Sequence, residues 1–238
     1  MQHNQGGVEM EQYNALIKDR LSELGISEVG FAKIRKIDPV RAQSLPNGIS
    51  LVAKLSDYVI DEIDGAPTFA YFQHYRAVNA FLDQAALRIG FLIESLGYRY
   101  LPVAASQSIP SAEQPYSALI SHKAVARMAG LGTIGKNALF LSYRYGPRVR
   151  LATVLTDLPL DCKESERERD VCMGCMRCAA SCPAMALRGT PYRHGVERAD
   201  IIDAAACSNY MKKQFQHIGR GAVCGICMRV CPYRGERE

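Results

Sequence analysis

The chain has 238 residues, 48% of them hydrophobic, enough for one sizeable core plus a small appended module. Its formal net charge of +5 is mildly basic and gives no pointer to nucleic acid. No apolar run reaches the roughly 18 residues of a membrane span, and residues 1–10 (MQHNQGGVEM) lack the basic and apolar regions of a secretory signal, so a soluble, cytoplasmic protein with no membrane contact is expected.

From the N-terminus, Glu9 to Leu24 carries Tyr13, Leu16, Ile17, Leu21 and Leu24 at helical spacing, with Gly25 placed to end the helix. Val29 to Ile34 and Ile49 to Leu55 are strand candidates. Thr68 to Leu96 is a long helical stretch closed by Gly97, and Tyr98 to Ala104 reads as a strand. His122 to Ala129 reads as a helix running into glycines, Ala138 to Ser142 as strand-like, and Val149 to Thr156 as a β-branched strand. This mixture predicts an α/β or α+β domain over about residues 8–160. Lys163 to Asp170 (KESERERD) is a charged linker, and beyond it Arg198 to Phe215 forms one amphipathic helix in a turn-rich segment.

All nine cysteines fall between Cys162 and Cys231. In an intracellular chain the thiol pool keeps such residues reduced, so metal or redox chemistry is the better reading than disulfides. The composition shift sets the domain boundary at residues 1–161 and 162–238. The first run is Cys172-x2-Cys175-x2-Cys178-x3-Cys182-Pro183, the bacterial ferredoxin spacing. Three thiolates at this spacing wrap one 4Fe–4S cube, and the fourth serves a second cube. The second run, Cys224-x2-Cys227-x3-Cys231-Pro232, repeats the first with Gly221 in place of its first ligand, and Cys207 upstream is the natural substitute. Cross-ligation then gives one cluster Cys172, Cys175, Cys178 and Cys231, and the other Cys182, Cys207, Cys224 and Cys227. Structural zinc is the competing reading, but paired CxxC motifs around a long spacer are its usual form. Cys162 is left over and reads as an inert buried thiol. Each oxidised cluster with four thiolates carries about −2, so the loaded protein is close to neutral.

Residues 130–135 read GLGTIG, formally a GxGxxG. A dinucleotide site needs a strand before and a helix after it, and here the order is reversed, although Asp157 closes a strand at a suitable distance. The other readings are a helix-ending glycine turn with Lys136 on the surface, and a backbone-lined pocket where glycines admit a large cofactor. Lys123, Arg127, Lys136, Arg144, Arg148 and Arg150 form either a solvated basic face or contacts to an anionic ligand or RNA.

The stretch SHKAVARMAGLGTIGKNALFLSYRYGPRVRLATVLTDLPLD (121–161), together with GISEVGFAKI (25–34), PTFAYFQHYRAVNAFLD (67–83) and the cysteine pattern, resembles the epoxyqueuosine reductase-like iron–sulfur proteins. The resemblance implies a nitroreductase-like α/β domain followed by a ferredoxin-like double-cluster domain. It also implies cobalamin between them, reduced by the clusters for reductive chemistry of the epoxyqueuosine reductase or, more distantly, reductive dehalogenase kind. Gly130, Gly132, Gly135, Lys136, Asn137 and Arg148 would then line the cofactor, and a ferredoxin or flavodoxin would supply electrons to an enzyme acting on a small molecule or nucleoside. Three departures stand out. The chain is short, Thr133 replaces the usual tryptophan, and the acidic proton donor has no obvious counterpart. Tyr116, with Glu113 nearby, is the candidate catalytic donor, and a packing role for Tyr116 is the alternative. A protein that only carries electrons to a partner, or that reduces or delivers a corrinoid belonging to one, is the competing function.

Overall fold

The computed structural model describes residues 5–109, 116–162, 169–220 and 223–236. The chain forms two compact units, each built from three segments: residues 1–53, 79–131 and 150–167 make the first, and 54–78, 132–149 and 168–238 the second. The second unit thus combines the cysteine-rich tail with two stretches from the earlier part of the chain.

The first unit centres on a four-stranded sheet. Its strands are β1 (Glu28–Lys33), β2 (Asn47–Lys54), β3 (Tyr100–Val103) and, late in the chain, β6 (Val149–Thr156), in the order β1-β2-β6-β3. β1 pairs antiparallel with β2, and β3 with β6. The two inner strands are buried almost end to end, and Asn47, Ser50, Thr153 and Thr156 are buried along with their apolar residues. The edge strands are only partly covered, and Pro102, which has no N–H to donate, sits on edge strand β3. Helix α1 (Gln5–Glu23) buries Ile17 and Leu21, one turn apart, and packs on β1. Helix α4 (His122–Met128) also packs on β1. Ser121 caps it by accepting from Ala124 N, and Gly130, at φ 77°, ends it. The later part of α3 (Phe69–Ser95) adds Leu82, Ala86, Ile89 and Ile93 to the core at helical spacing.

The second unit has short elements. They are α2 (Asp57–Asp61), the start of α3, a hairpin of β4 (Gly132–Ile134) and β5 (Phe140–Ser142), and four helices: α5 (Arg177–Ala180), α6 (Arg198–Ile201), α7 (Ala204–Phe215) and α8 (Ile226–Arg229). Its core gathers Leu55, Ile60, Ile63, Tyr71 and Phe72 with Phe215, Val223, Ile226 and Met228, so the cysteine-rich tail borrows apolar surface from residues 55–72. Burying one such side chain stabilises by about 1.5–3 kcal/mol.

Two expectations are corrected. Residues 198–215 do not form one helix. Ile202 is extended and bridges Leu187, and Asp203 caps α7 by accepting from Ala206 N at 2.9 Å. An aspartate at this position is worth more as a cap than inside a helix. Within 138–142 the strand starts only at Phe140, because Ala138 turns left-handed at φ 58°.

Candidate metal centre and its surroundings

The half-repeat in the sequence is also a structural repeat. α5 carries Cys178 and α8 carries Cys227, each four residues long, each followed by a Cys-Pro pair, and the two helices pack together. The second repeat needs its glycine: Gly225 is left-handed at φ 78°, and a Cβ there would meet Ile63 and Tyr71 at 2.7 and 2.8 Å.

Eight cysteines belong to the second unit, and they fall into two sets. Cys231 is acted on by the charges of Cys172, Cys178 and Cys175, and Cys178 by those of Cys172 and Cys175. Cys224 is acted on by Cys207 and Cys182, and Cys227 by Cys224, Cys207 and Cys182. Cys227 is also acted on by Cys178, where the sets approach one another. Cys178 and Cys231 are buried and the other six partly so, all as free thiols. Burial pushes Cys224 and Cys231 up to about 11 and Cys227 higher still. Backbone N–H groups offset this in part: those of Ile226 and Tyr233 are directed at Cys224 and Cys231, and that of Lys136 at Cys172. Among the described residues no three His, Cys, Asp or Glu side chains close on a single ion; a cubane differs in binding each thiolate at a separate iron. Two sets of four thiols with N–H donors aimed at sulfur suit such clusters.

The ninth cysteine, Cys162, belongs to the first unit, half-buried, with its Sγ 3.8 Å from Asn47 Oδ1. Burial raises its thiol to about 11, which makes it a poor nucleophile.

The glycine motif is explained by local structure. Gly130 ends α4. Gly132 lets β4 and β5 meet, since a Cβ there would stand 2.1 Å from Leu141 O. The order is helix, strand, strand, so the strand-before and helix-after arrangement of a dinucleotide site is absent at this motif. Asp157 instead accepts from Arg99 N and Nε, both at 2.7 Å.

Lys136 is not on the surface. It is 7% exposed, and its Nζ donates to Met173 O at 2.7 Å and Cys175 O at 3.3 Å. Asn137 accepts from Leu139 N at 3.1 Å and reaches Cys227 O at 3.5 Å. Nor do Arg148 and Arg150 belong to a solvated face, although Arg144 is exposed. Arg148 is 2% exposed; Nη1 donates to Asp57 O and Oδ1 at 3.1 and 2.8 Å, and Nη2 to Asp61 Oδ1. Arg150 is tied to Asn79 Oδ1 and Ala105 O. Sequence reasoning offered no partner for Lys136 or Arg148, because each lies far away along the chain. Gly130 and Tyr116 belong to the first unit, Tyr116 half-buried; Glu113 lies outside the described residues.

The 4Fe-4S double cluster binding domain family matches residues 171–234. The epoxyqueuosine reductase of Gloeobacter violaceus is 34% identical over 50% of this chain and 38% of its own length. That of Pseudomonas aeruginosa is 27% identical over 81% of this chain and 53% of its own length. The tetrachloroethene reductive dehalogenase of Dehalobacter restrictus is 29% identical over 90% of this chain and 38% of its own. Among solved structures, an epoxyqueuosine reductase superposes with a TM-score of 0.59 at 18% identity, covering 96% of this chain and 68% of that one. The chain is thus similar to epoxyqueuosine reductases in sequence and in fold, and carries a 4Fe-4S double cluster binding domain. A catabolic reductive dehalogenase shares the fold more closely, at TM-score 0.69 and 19% identity over 92% of this chain and 31% of that one. The chain spans 38% to 53% of the length of the curated relatives just named. Among its described residues no helix is long and apolar enough to cross a membrane.

Proposed function

We propose that this protein is an iron–sulfur reductase that relays single electrons through two 4Fe–4S clusters to a corrinoid, for reductive cleavage of a carbon–heteroatom bond. The observation that carries the reading is the gathering of eight cysteines into two sets of four within a double-cluster domain. One set is Cys172, Cys175, Cys178 and Cys231; the other is Cys182, Cys207, Cys224 and Cys227. The approach of Cys178 and Cys227 gives the electron a short path between them. Support for the corrinoid comes from a fold relative, a reductive dehalogenase whose structure is described as suggesting a mechanism for B12-dependent dehalogenation.

When bound, the clusters supply one electron each and the corrinoid a reducible cobalt. The chain's own part is to bury the thiolates, aim backbone N–H groups at sulfur, and offer a proton. Tyr116, with Glu113, is the proposed donor; Gly130, of a nitroreductase-like first unit, and Gly132 and Gly135, of the second, are the proposed cofactor-binding glycines. A ferredoxin or flavodoxin is the proposed electron source.

Anaerobic purification followed by iron, sulfide and cobalt counts tests the reading. About eight irons per chain are expected, with roughly one cobalt after reconstitution with hydroxocobalamin. Absence of binding to either a corrinoid or a flavin at micromolar concentration sinks the enzyme reading.

A second reading has one observation in its favour. Lys136, Asn137 and Arg148, three candidates for cofactor contact, direct side-chain hydrogen bonds to groups inside their own unit. A carrier that passes electrons to a partner enzyme, or reduces that partner's corrinoid, needs no such contacts. It predicts reversible reduction of both clusters with no organic cofactor retained.

A further inference from the structure

We propose that Lys136 is a positioning residue for the cluster of Cys172, Cys175, Cys178 and Cys231. It fixes the ligand loop and makes that cluster easier to reduce than it would otherwise be. The inference rests on the two-cluster reading and adds a residue and an electrical asymmetry to it.

Lys136 sits at the tip of the β4–β5 hairpin. Gly135 N bonds to Leu139 O at 3.0 Å and Ala138 N to Gly135 O at 2.8 Å, which pins the tip into one shape. From there the side chain is buried against the first cysteine loop. Its ammonium donates to Met173 O and Cys175 O and lies 3.9 Å from Met176 Sδ, so its three protons face the ligand Cys175 and the residues on either side of it in the loop. Its backbone N–H is directed at the sulfur of Cys172. The same residue therefore grips the loop by side chain and by main chain.

The gripped loop is strained. Met173 is left-handed at φ 39°, costly for a residue with a side chain. The carbonyl it presents in that conformation is the one closest to Lys136 Nζ. Asp170 secures the same turn from the other side by accepting from Cys172 N and Met173 N at 3.0 and 3.1 Å. A strained residue clamped by a buried ammonium marks a geometry set by a requirement other than local stability.

The charge follows from the position. A 4Fe–4S cluster gains one negative charge on reduction, and a buried ammonium stabilises that form more strongly than the same charge in water. Asp170, near Cys172, opposes it and is exposed. The charges acting on Cys207 of the other set are Arg198 and Asp203, one of each sign and both exposed. Among the described residues, Arg198 is the cation that acts on Cys207, Cys224 or Cys227, whereas the first set has the buried Lys136 against its loop.

The test is a redox titration followed by electron paramagnetic resonance on the anaerobically reconstituted full chain, with iron counted in every sample. In Lys136→Met one midpoint should fall by at least about 59 mV, a tenfold change in a one-electron equilibrium, while the other stays. The shifted signal should be the one missing from Cys172→Ala. Lys136→Arg, which keeps the charge, should restore most of the shift. Selective loss of about four irons from Lys136→Met also supports the role. If Lys136→Met does not fold, Lys136→Gln, which keeps a donor for Met173 O, is read in the same way. Two unmoved midpoints with full iron, or equal shifts or joint loss of both clusters, overturn it. Wild-type protein that takes up no clusters overturns the underlying two-cluster reading instead.

Discussion

The two units are built on opposite terms. In the first, strands β2 and β6 are buried along nearly their whole length, and helices α1, α3 and α4 bring apolar faces to the core. In the second, α5, α6 and α8 are four residues long, too short to stand as isolated helices, and the core is a single cluster seeded by residues 55–72. The first unit is expected to hold without metal, since its regular elements are long and well buried. The second packs Cys224 against its apolar cluster and sets Cys227 between Ile226 and Met228, while Cys172 and Cys175 stand on loops with little apolar support, which are expected to depend on bound clusters.

Removing the iron is the strongest way to break this contrast. Chelation under reducing conditions should abolish amide-exchange protection across 169–236 and leave β2 and β6 protected. Equal loss in both regions would mean that the first unit also depends on the clusters. Next in size, Cys207→Ala should drop iron from about eight to about four per chain. Full retention would remove Cys207 from the ligand set and leave the half-repeat without its substitute.

Arg148→Met probes the second unit without touching a thiol. It deletes a buried guanidinium from Asp57 and Asp61, whose side chains are 53% and 49% exposed. Because both carboxylates can rehydrate, the expected loss is about 2–3 kcal/mol, at the low end for a broken buried pair. Urea unfolding of holo-protein checks it, and a change below about 0.5 kcal/mol would show that the network contributes little.

The smallest effect belongs to the first unit and to pH. His122 Nε2 contacts Ala104 O at 3.0 Å and Nδ1 contacts Thr153 Oγ1 at 2.8 Å. The neutral ring satisfies both by donating from Nε2 and accepting at Nδ1. Burial lowers its pKa below the ordinary 6.5, the Ala104 carbonyl opposes this, Arg150 adds to it and Asp83 opposes it. The unfolded chain therefore binds the proton more readily. The stability this group contributes is complete above about pH 6.5 and is lost as pH falls toward the folded value. Exchange protection of β6 should decline as the pH falls below about 6.5, and His122→Gln should flatten the decline.

Much of the fold was legible in the sequence where its cause is local. Burial periodicity marked α1, α3, α4, β1, β2 and β6, and glycines marked the ends of α1, α3 and α4. Other features were not legible. The cap at Asp203 splits a stretch whose apolar spacing looks continuous, because a cap competes with periodicity without altering it. The hairpin at 132–142 hides inside a motif in which Gly130 ends a helix and Gly132 admits the neighbouring strand, two unrelated local causes.

By itself the sequence determined the cysteine spacing, its half-repeat and the place of Cys207, because a ligand loop is a matter of a few neighbouring residues. Only the tertiary structure decided what the basic residues do. Arg148 meets Asp57 across 91 positions, Asn137 meets Cys227 across 90, and Lys136 meets Met173 across 37. No local pattern encodes such partners. A lysine or arginine is solvated by default, and only an enclosing core with carbonyls or carboxylates in reach makes its burial affordable.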